Sequence, residues 1–242
     1  MIEQARSELA PTGVLRTGIN LSNFLLVTGK TPTGDPQGVS PDMARAVADR
    51  LGVPVEYVLF DTPGELADAA VEDVWDIGNI GAEPERAKTI SFTAAYAEIE
   101  ATYLVPANSP IQCVDQVDRE GVRIGVYGRS AYGLWLSANI KSAELVKTEG
   151  VDASFEVFVG HGLEALAGLR PRLLKDVEKL PGARILGGQF TAVQQAIGTK
   201  PNRRVGAAFL HDFVEAAKAS GLVASLIEKH GVAGQLTVAP LA

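Results

Sequence analysis

Strand-like and helix-like hydrophobic patterns alternate along this chain of 242 residues, and the alternation restricts its fold more than any other feature. Pro41–Leu51 carries the apolar spacing of an amphipathic helix with Ser40 as its expected N-cap, and Pro63–Val74 is a second predicted helix. Three β-rich runs lie beside them: Val14–Ile19, Val55–Phe60 and Asp76–Ile80. This order predicts an α/β fold in which a mostly parallel sheet is flanked by helices.

The second half of the chain repeats the pattern. Gly121–Val126 predicts a strand, and Ser130–Ile140 predicts a helix with Ser130 as its N-cap. A strand at Phe155–Val159 and a short helix at Gly162–Leu166 are expected next. Three further helices are expected later in the chain: Leu173–Leu180, His211–Ser220 and Leu222–His230.

Two extended segments, Ile99–Val105 and Gln189–Ile197, each follow a complete α/β block. Both are interpreted as strands on which the chain crosses between lobes. The pattern therefore predicts a discontinuous first lobe, residues 1–103 and 195–242, and an inserted second lobe, residues 104–194. The hinges are expected near 99–106 and 188–197.

The charge of the chain argues against several kinds of partner. Lysine and arginine number 22 against 29 aspartate and glutamate residues, a net charge of −7. An acidic chain repels polyanions, so nucleic acid is not an expected partner. No run reaches the roughly 18 apolar residues that a membrane-spanning helix needs, so membrane insertion is not expected. The N-terminus has no basic segment followed by an apolar run, so no signal peptide is predicted.

Residue types that support catalysis or hold a metal are sparse. Cys113 is the only cysteine, which excludes an internal disulfide bond and a cysteine-based zinc site. The three histidines lack metal-ligand spacing, and the chain has neither a phosphate-binding loop nor a dinucleotide-binding glycine motif. We therefore expect no metal and no cofactor, and we assign no catalytic residue.

The segment Asp76–Val105 is the most informative part of the sequence. It contains Pro84-Glu85-Arg86 after a predicted strand, then Phe92-Thr93-Ala94-Ala95-Tyr96 and an extended run. This order resembles the family 3 solute-binding proteins, and the likeness extends from about Gly13 to about His230. The resemblance implies a type II periplasmic-binding-protein fold, in which two α/β lobes joined by two hinge strands close around a small ligand.

The same resemblance implies the biological role. Such proteins present their ligand, often an amino acid, to the permease of an ABC transporter. We therefore expect a monomer that binds an organic acid or an amino-acid-like molecule in the periplasm. Because no signal peptide is predicted, the cytoplasm is kept as the alternative location.

The resemblance implies that Arg86 holds a ligand carboxylate. A guanidinium can make two parallel hydrogen bonds to a carboxylate, which the ammonium of a lysine cannot. The alternative is that Arg86 pairs with Glu83 or Glu85 on a surface turn. In the second lobe, the family's second carboxylate contact corresponds to Ser130 and Ala131, where backbone N–H groups and the helix dipole favour an anion.

Three departures from the family pattern bear on the ligand. Leu169, followed by Arg170, stands where relatives have an aspartate that pairs with a ligand ammonium. Asn79-Ile80-Gly81 replaces a Gly-x-Thr, and Asn23 replaces an aromatic residue, although Phe24 is adjacent. These changes predict an anionic or neutral polar ligand rather than a free α-amino acid. The predicted ligand-binding residues are Arg86, Asn20, Asn23, Phe24, Asn79, Gly81, Tyr127, Ser130, Ala131, Tyr132, Leu169 and Arg170.

An enzyme on the same scaffold is the alternative function. Cyclohexadienyl dehydratases are similar overall and need a general acid to expel the leaving group. Such relatives carry an acidic residue shortly after the position of Leu169, where this chain has Arg170-Pro171-Arg172. Glu164 and Glu100 are the remaining candidate acids, so a binding protein without chemistry is the preferred hypothesis.

Overall fold

The computed structural model describes residues 2–242, which form two compact units. One unit comprises the described residues up to Glu98 together with Gln194–Ala242, and the other is Ile99–Val193. The helices are α1 (Ile2–Leu9), α2 (Val39–Leu51), α3 (Pro63–Asp68), α4 (Ala131–Asn139), α5 (Val151–Gly160), α6 (Arg170–Val177), α7 (Arg204–Ala219) and α8 (Leu222–Lys229). Short 3-10 helices lie at Ala69–Val71, Arg86–Lys88 and Val114–Gln116.

The strands complete the order of elements. They are β1 (Leu15–Asn20), β2 (Gly29–Lys30), β3 (Pro36–Gln37), β4 (Val55–Phe60), β5 (Ile77–Gly81), β6 (Ser91–Phe92), β7 (Ala97–Val105), β8 (Arg123–Tyr127), β9 (Glu144–Thr148), β10 (Ala165–Leu169), β11 (Arg184–Ile185), β12 (Thr191–Thr199) and β13 (Thr237–Val238). The chain passes from the first unit to the second within β7 and returns within β12. The lobe limits and hinge positions expected from the sequence stay predictions.

In the first unit, β1 lies between two parallel neighbours, β4 and β5. β12 runs antiparallel to β5 on its other side. The register places Ile19 opposite Asn79, so β1 and β5 end at the same edge of the sheet, at Asn20 and Gly81. The carboxyl ends of neighbouring parallel strands are where ligands bind in open α/β sheets.

Close packing holds α3 against one face of this sheet. Trp75 is fully buried, and its indole N–H donates to the carbonyl of Leu66 at 3.2 Å. A Cβ atom on Gly78 would lie only 3.0 Å from the Leu66 side chain, so glycine lets the helix approach. The helix begins with a capping box, in which Thr62 and Glu65 each bond the other's backbone N–H.

In the second unit, β8 lies between β9 and β10, and all three strands are parallel. β7 runs antiparallel to β10. Apolar residues of β8 and α4, among them Ile124, Val126 and Leu136, belong to one buried cluster. The turn from β8 into α4 and the turn from β10 into α6 therefore leave the sheet at the same edge.

Two predicted elements of the second unit are wrong. Phe155–Val159 belongs to the helix α5, where Ser154 and Phe158, four residues apart, are both buried. Its aromatic and β-branched residues favoured a strand. Gly162–Leu166, rich in helix-forming residues, leads into the buried strand β10, because pairing with β7 and β8 overrides local helix propensity.

Two predicted helix starts are also wrong. The N-cap of α2 is Gly38, whose φ of 152° is disfavoured for residues with a side chain. Ser40 lies inside the helix, and its hydroxyl is 3.0 Å from that of Tyr96. The helix α7 begins at Arg204, so the predicted start at His211 lies within it. None of the described helices combines the length and the apolar character needed to cross a membrane.

Candidate ligand-binding site

The turn after β1 is held by asparagine side chains. The Asn20 Oδ1 atom accepts hydrogen bonds from the backbone N–H and the hydroxyl of Ser22, at 3.1 and 2.8 Å. The Asn23 Oδ1 atom accepts from the backbone N–H of Leu25 at 3.2 Å, and Phe24 between them is half-buried. Both asparagines therefore shape the loop through local side-chain to backbone bonds.

Arg86 lies at the start of the 3-10 helix that follows β5. Only 5% of its surface is exposed, and its Nη1 donates to the carbonyl of Gly81 at 2.8 Å. Glu85 pairs instead with Lys88, both on the surface, with Oε2 and Nζ 2.5 Å apart. The guanidinium is therefore buried at the end of β5 and is not part of a surface ion pair with Glu85.

Glu83 is a buried acid in the same loop. It is 7% exposed, and its backbone carbonyl accepts the N–H of Ala87 at 2.9 Å. Burial raises the pKa of its carboxyl to about 7, although the charge of Arg86 acts in the opposite direction. The sequence singled out Glu83 only as a partner of Arg86. Its place between a strand end and Pro84-Glu85-Arg86 was the available signal for a functional role.

Asn79 is an unsatisfied polar residue within β5. Its residue surface is 1% exposed, and neither Oδ1 nor Nδ2 has a hydrogen-bond partner among the described residues. The hydroxyl of Thr17, on the neighbouring strand β1, is also buried without a partner. Thr17 lies opposite Ile77, so the register puts its side chain on the sheet face of Asn79. Burying such groups unpaired is costly.

The turn between β8 and α4 holds four of the predicted residues. Ser130 is the N-cap of α4, as predicted: its Oγ accepts the N–H of Gly133 at 2.9 Å and donates to the carbonyl of Tyr127 at 2.6 Å. Ala131 is the first residue of the helix. Burial raises the pKa of the Tyr132 hydroxyl, and the side chain of Ser130 acts in the opposite direction. These contacts fix the start of α4 on the end of β8.

The turn between β10 and α6 holds the other two predicted residues. Leu169 ends β10 and is partly buried, and Arg170 begins α6. The Nε of Arg170 donates to Glu100 Oε2 at 2.5 Å, and its Nη2 donates to the carbonyl of Gly188. The Arg170 side chain is thus bound by groups of its own unit.

Glu164, just before β10, is held by Arg123. Nε donates to Oε2 and Nη2 donates to Oε1, each at 2.9 Å. The hydrogen bond from Arg123 lowers the pKa of the Glu164 carboxyl below its ordinary value. Within the described part of the chain, no three histidine, cysteine, aspartate or glutamate side chains are grouped as a metal would need.

Comparison with known proteins places these observations in context. The model of the bacterial extracellular solute-binding proteins, family 3, matches residues 20–233. No curated protein matches the sequence. A solute receptor for L-cysteine of Neisseria gonorrhoeae is 20% identical with a TM-score of 0.74, and the match covers 98% of this chain and 99% of that one.

Two more solved structures have the same architecture. A binding component of an ABC transporter from Wolinella succinogenes, complexed with lysine, is 17% identical with a TM-score of 0.72, covering 90% of this chain and 95% of that one. An ancestral amino acid-binding protein, described as a precursor of cyclohexadienyl dehydratase, is 21% identical with a TM-score of 0.71, covering 92% and 97%. The predicted type II periplasmic-binding-protein fold is confirmed.

Proposed function

The chain belongs to the bacterial extracellular solute-binding proteins of family 3, and from this premise we propose that it binds a small, carboxylate-bearing polar ligand and delivers it to an ABC transporter. The observation that carries the proposal is Arg86, a buried arginine beside the carboxyl end of a parallel strand, oriented by the carbonyl of Gly81. An arginine held in one orientation suits the planar, two-point recognition of a carboxylate.

We propose the remaining ligand contacts for each unit by itself, at the edge of the sheet where its parallel strands end. In the first unit, Asn20, Asn23, Phe24, Asn79 and Gly81 lie in β1, in β5 or in the loop after β1. In the second unit, the start of α4 offers backbone N–H groups and the positive end of a nine-residue helix at Ser130 and Ala131. Tyr127, Tyr132, Leu169 and Arg170 complete the proposed set.

Binding without chemistry is favoured over dehydratase activity. A general acid must keep a proton until it is transferred to the leaving group. Of the two acids that the sequence offered, Glu164 is held by Arg123 with a lowered pKa, and Glu100 forms an ion pair with Arg170, so each carboxyl group already has a partner. Incubation with prephenate or arogenate tests this point: turnover above the protein-free rate would support the enzyme instead.

A ligand screen tests the proposed binding. The protein, unfolded and refolded to remove co-purified ligand, would be tested by thermal shift against organic acids and L-amino acids. Molecules that bind only the folded state raise Tm. Arg86→Lys should weaken binding of the best molecule at least about tenfold, because the two-point contact is lost. Arg50→Lys, on an exposed position of α2, is the matched control.

Two results would count against the proposal. One is the absence of stabilisation by every acid in the screen; the other is unchanged affinity in Arg86→Lys. The proposed location is the periplasm, and the proposed partner is the permease of an ABC transporter, with the binding protein acting as a monomer.

A further inference from the structure

We propose that the first unit holds one or two water molecules in its interior, bound by the side chains of Thr17 and Asn79 between the sheet and α2. The inference concerns the neighbouring strands β1 and β5, and it does not depend on the proposed ligand or on the transporter. It gives a role to two neighbouring buried side chains for which the described residues supply no hydrogen-bond partner.

Thr17 and Asn79 lie deep inside the unit. Thr17 is 0% exposed and Asn79 is 1% exposed. Among residues 2–242, the Thr17 hydroxyl and both polar atoms of the Asn79 amide, Oδ1 and Nδ2, are without a partner. In folded proteins nearly all buried polar groups are bonded to protein or to ordered water, because an unpaired one lowers stability. We therefore expect a partner that the chain itself does not supply.

The strand register brings the two side chains near each other. Thr17 lies opposite Ile77, and Asn79 is two residues further along β5, so the two side chains are diagonal neighbours on one face of the sheet. Such diagonal neighbours lie about 7–8 Å apart at the backbone. The side chains shorten that gap, and the remaining distance suits one water that bonds to both, with each bond about 2.8 Å long.

The other neighbours of Asn79 on this face do not satisfy its amide. The register puts Ile19 on one side of Asn79 and Ile197 on the other, and both isoleucines are fully buried and apolar. Of the two threonines diagonal to Asn79, Thr199 already donates its hydroxyl to a backbone carbonyl at 2.8 Å. Thr17 is the threonine whose hydroxyl is still without a partner.

The helix α2 covers this face of the sheet. Tyr57 of β4 lies opposite Thr17, and its hydroxyl donates to the carbonyl of Pro41 in α2 at 3.1 Å. On the opposite face, Leu66 of α3 packs against Gly78. The unpartnered atoms therefore lie between the sheet and α2, away from bulk solvent.

The chemistry of the three atoms fits water and does not fit an ion. They comprise an amide donor, an amide acceptor and a hydroxyl that can do both. Water also donates and accepts, and buried waters typically make about three such bonds. Neither side chain carries a charge that would hold an ion in a buried site. With its side chain bonded to water, Asn79 serves the proposed ligand edge only as part of β5, two residues before Gly81.

A high-resolution crystal structure of the protein tests the site directly. We expect electron density for an ordered water within about 2.7–3.2 Å of Thr17 Oγ1 and of one polar atom of the Asn79 amide. If both side chains are ordered and no density lies between them, the inference is overturned. A direct hydrogen bond between the two side chains would overturn it as well.

The variants Thr17→Val and Asn79→Leu test the site in solution. Each removes polar atoms with little change in shape. Each should raise the unfolding equilibrium constant about 5- to 10-fold in urea titrations, because a hydrogen bond to the water is lost while the water's other partner stays buried. In a dry interior the same variants would stabilise the protein by removing an unpaired group, and that result would contradict the proposal.

The double variant shows whether the two side chains share the water. Once Asn79→Leu has removed the site, adding Thr17→Val should have a smaller effect than it has alone, whereas independent effects multiply. Effects that multiply would therefore overturn a shared site. Thr237→Val, at an exposed position in β13, is the matched control and should change the equilibrium constant by no more than about twofold. The proposed binding function is tested separately by the acid screen and stands or falls on that result.

Discussion

Arg16 holds Asp76 through two parallel hydrogen bonds, Nε to Oδ2 and Nη2 to Oδ1, each 2.9 Å long. The Asp76 side chain is fully buried and also accepts a hydrogen bond from Arg203 Nη1 at 2.8 Å. Arg16 lies in β1, and Asp76 directly precedes the neighbouring strand β5. The pair thus joins the amino ends of two adjacent strands, opposite the carboxyl ends where the proposed ligand groups lie.

Asp76→Asn should destabilise the protein strongly. The change removes the charge that compensates two buried or partly buried arginines, and breaking a buried pair in this way costs about 3–5 kcal/mol. Urea unfolding would measure the loss. Asp73→Asn, whose exposed side chain also pairs with Arg16, is the control and should change the free energy of unfolding little. Equal effects from both variants would contradict the assignment.

The buried carboxyl of Glu83 should make stability depend on pH. Its pKa is about 7 in the folded protein against the ordinary value of 4.5. Between these values the folded state keeps a proton that the unfolded state has released. The free energy of unfolding of the ligand-free protein therefore contains a contribution that is full below about pH 4.5 and is lost as the pH rises through 7.

Glu83→Gln lacks this titration. The free energy of unfolding of the variant minus that of the wild type should therefore increase as the pH is raised from about 5 to about 8. Urea unfolding of both proteins at the two pH values gives the difference directly. A difference that stays constant, or one that changes in the opposite direction, would show that the Glu83 carboxyl is not destabilised by burial.

Ser130→Ala should lower the free energy of unfolding by about 1 kcal/mol, within the range of about 0.5–2 kcal/mol for a lost N-cap. The substitution leaves the Gly133 N–H without its acceptor. Thermal unfolding would show the lower Tm. Ser137→Ala, within α4 and bonded only to the preceding turn, is the comparison and should cost less. If the two serines prove equivalent, Ser130 does not secure the start of α4.

Gly133→Ala should destabilise the second unit by about 1–3 kcal/mol or more. A Cβ atom at this position would lie 2.2 Å from the carbonyl oxygen of Tyr127, so the turn from β8 into α4 would have to move. Gly160→Ala, in α5 with no atom within 4 Å of the added Cβ, is the control. It should be neutral or slightly stabilising, because alanine favours helices. Chemical unfolding distinguishes the two.

The sequence was informative where local signals and tertiary structure agree. The Ser130 cap was predictable because the hydroxyl, the helix start and the preceding strand are contiguous. The strand β10 was not predictable from the sequence, because its alanines and leucines favour a helix. It is a strand because it pairs with β7 and β8, which are distant in sequence.

The candidate site likewise contains features that a local motif indicates and features that only the folded chain reveals. Arg86 was identifiable from Pro84-Glu85-Arg86, since a short motif carries it. The burial of Glu83 depends on the folded loop, and the Arg170–Glu100 pair joins residues 70 positions apart. Neither feature has a local signature in the sequence.

The arginine–carboxylate pair at Arg16 and Asp76 has a counterpart in the second unit, where Arg123 holds Glu164 before β10. In each unit the pair joins one strand, β1 or β8, to the amino end of a parallel neighbour, β5 or β10, away from the edge that carries the proposed ligand groups. Evolution, or a protein engineer, can therefore exchange residues at the ligand edge for new specificities while the groups that hold the strands together stay untouched.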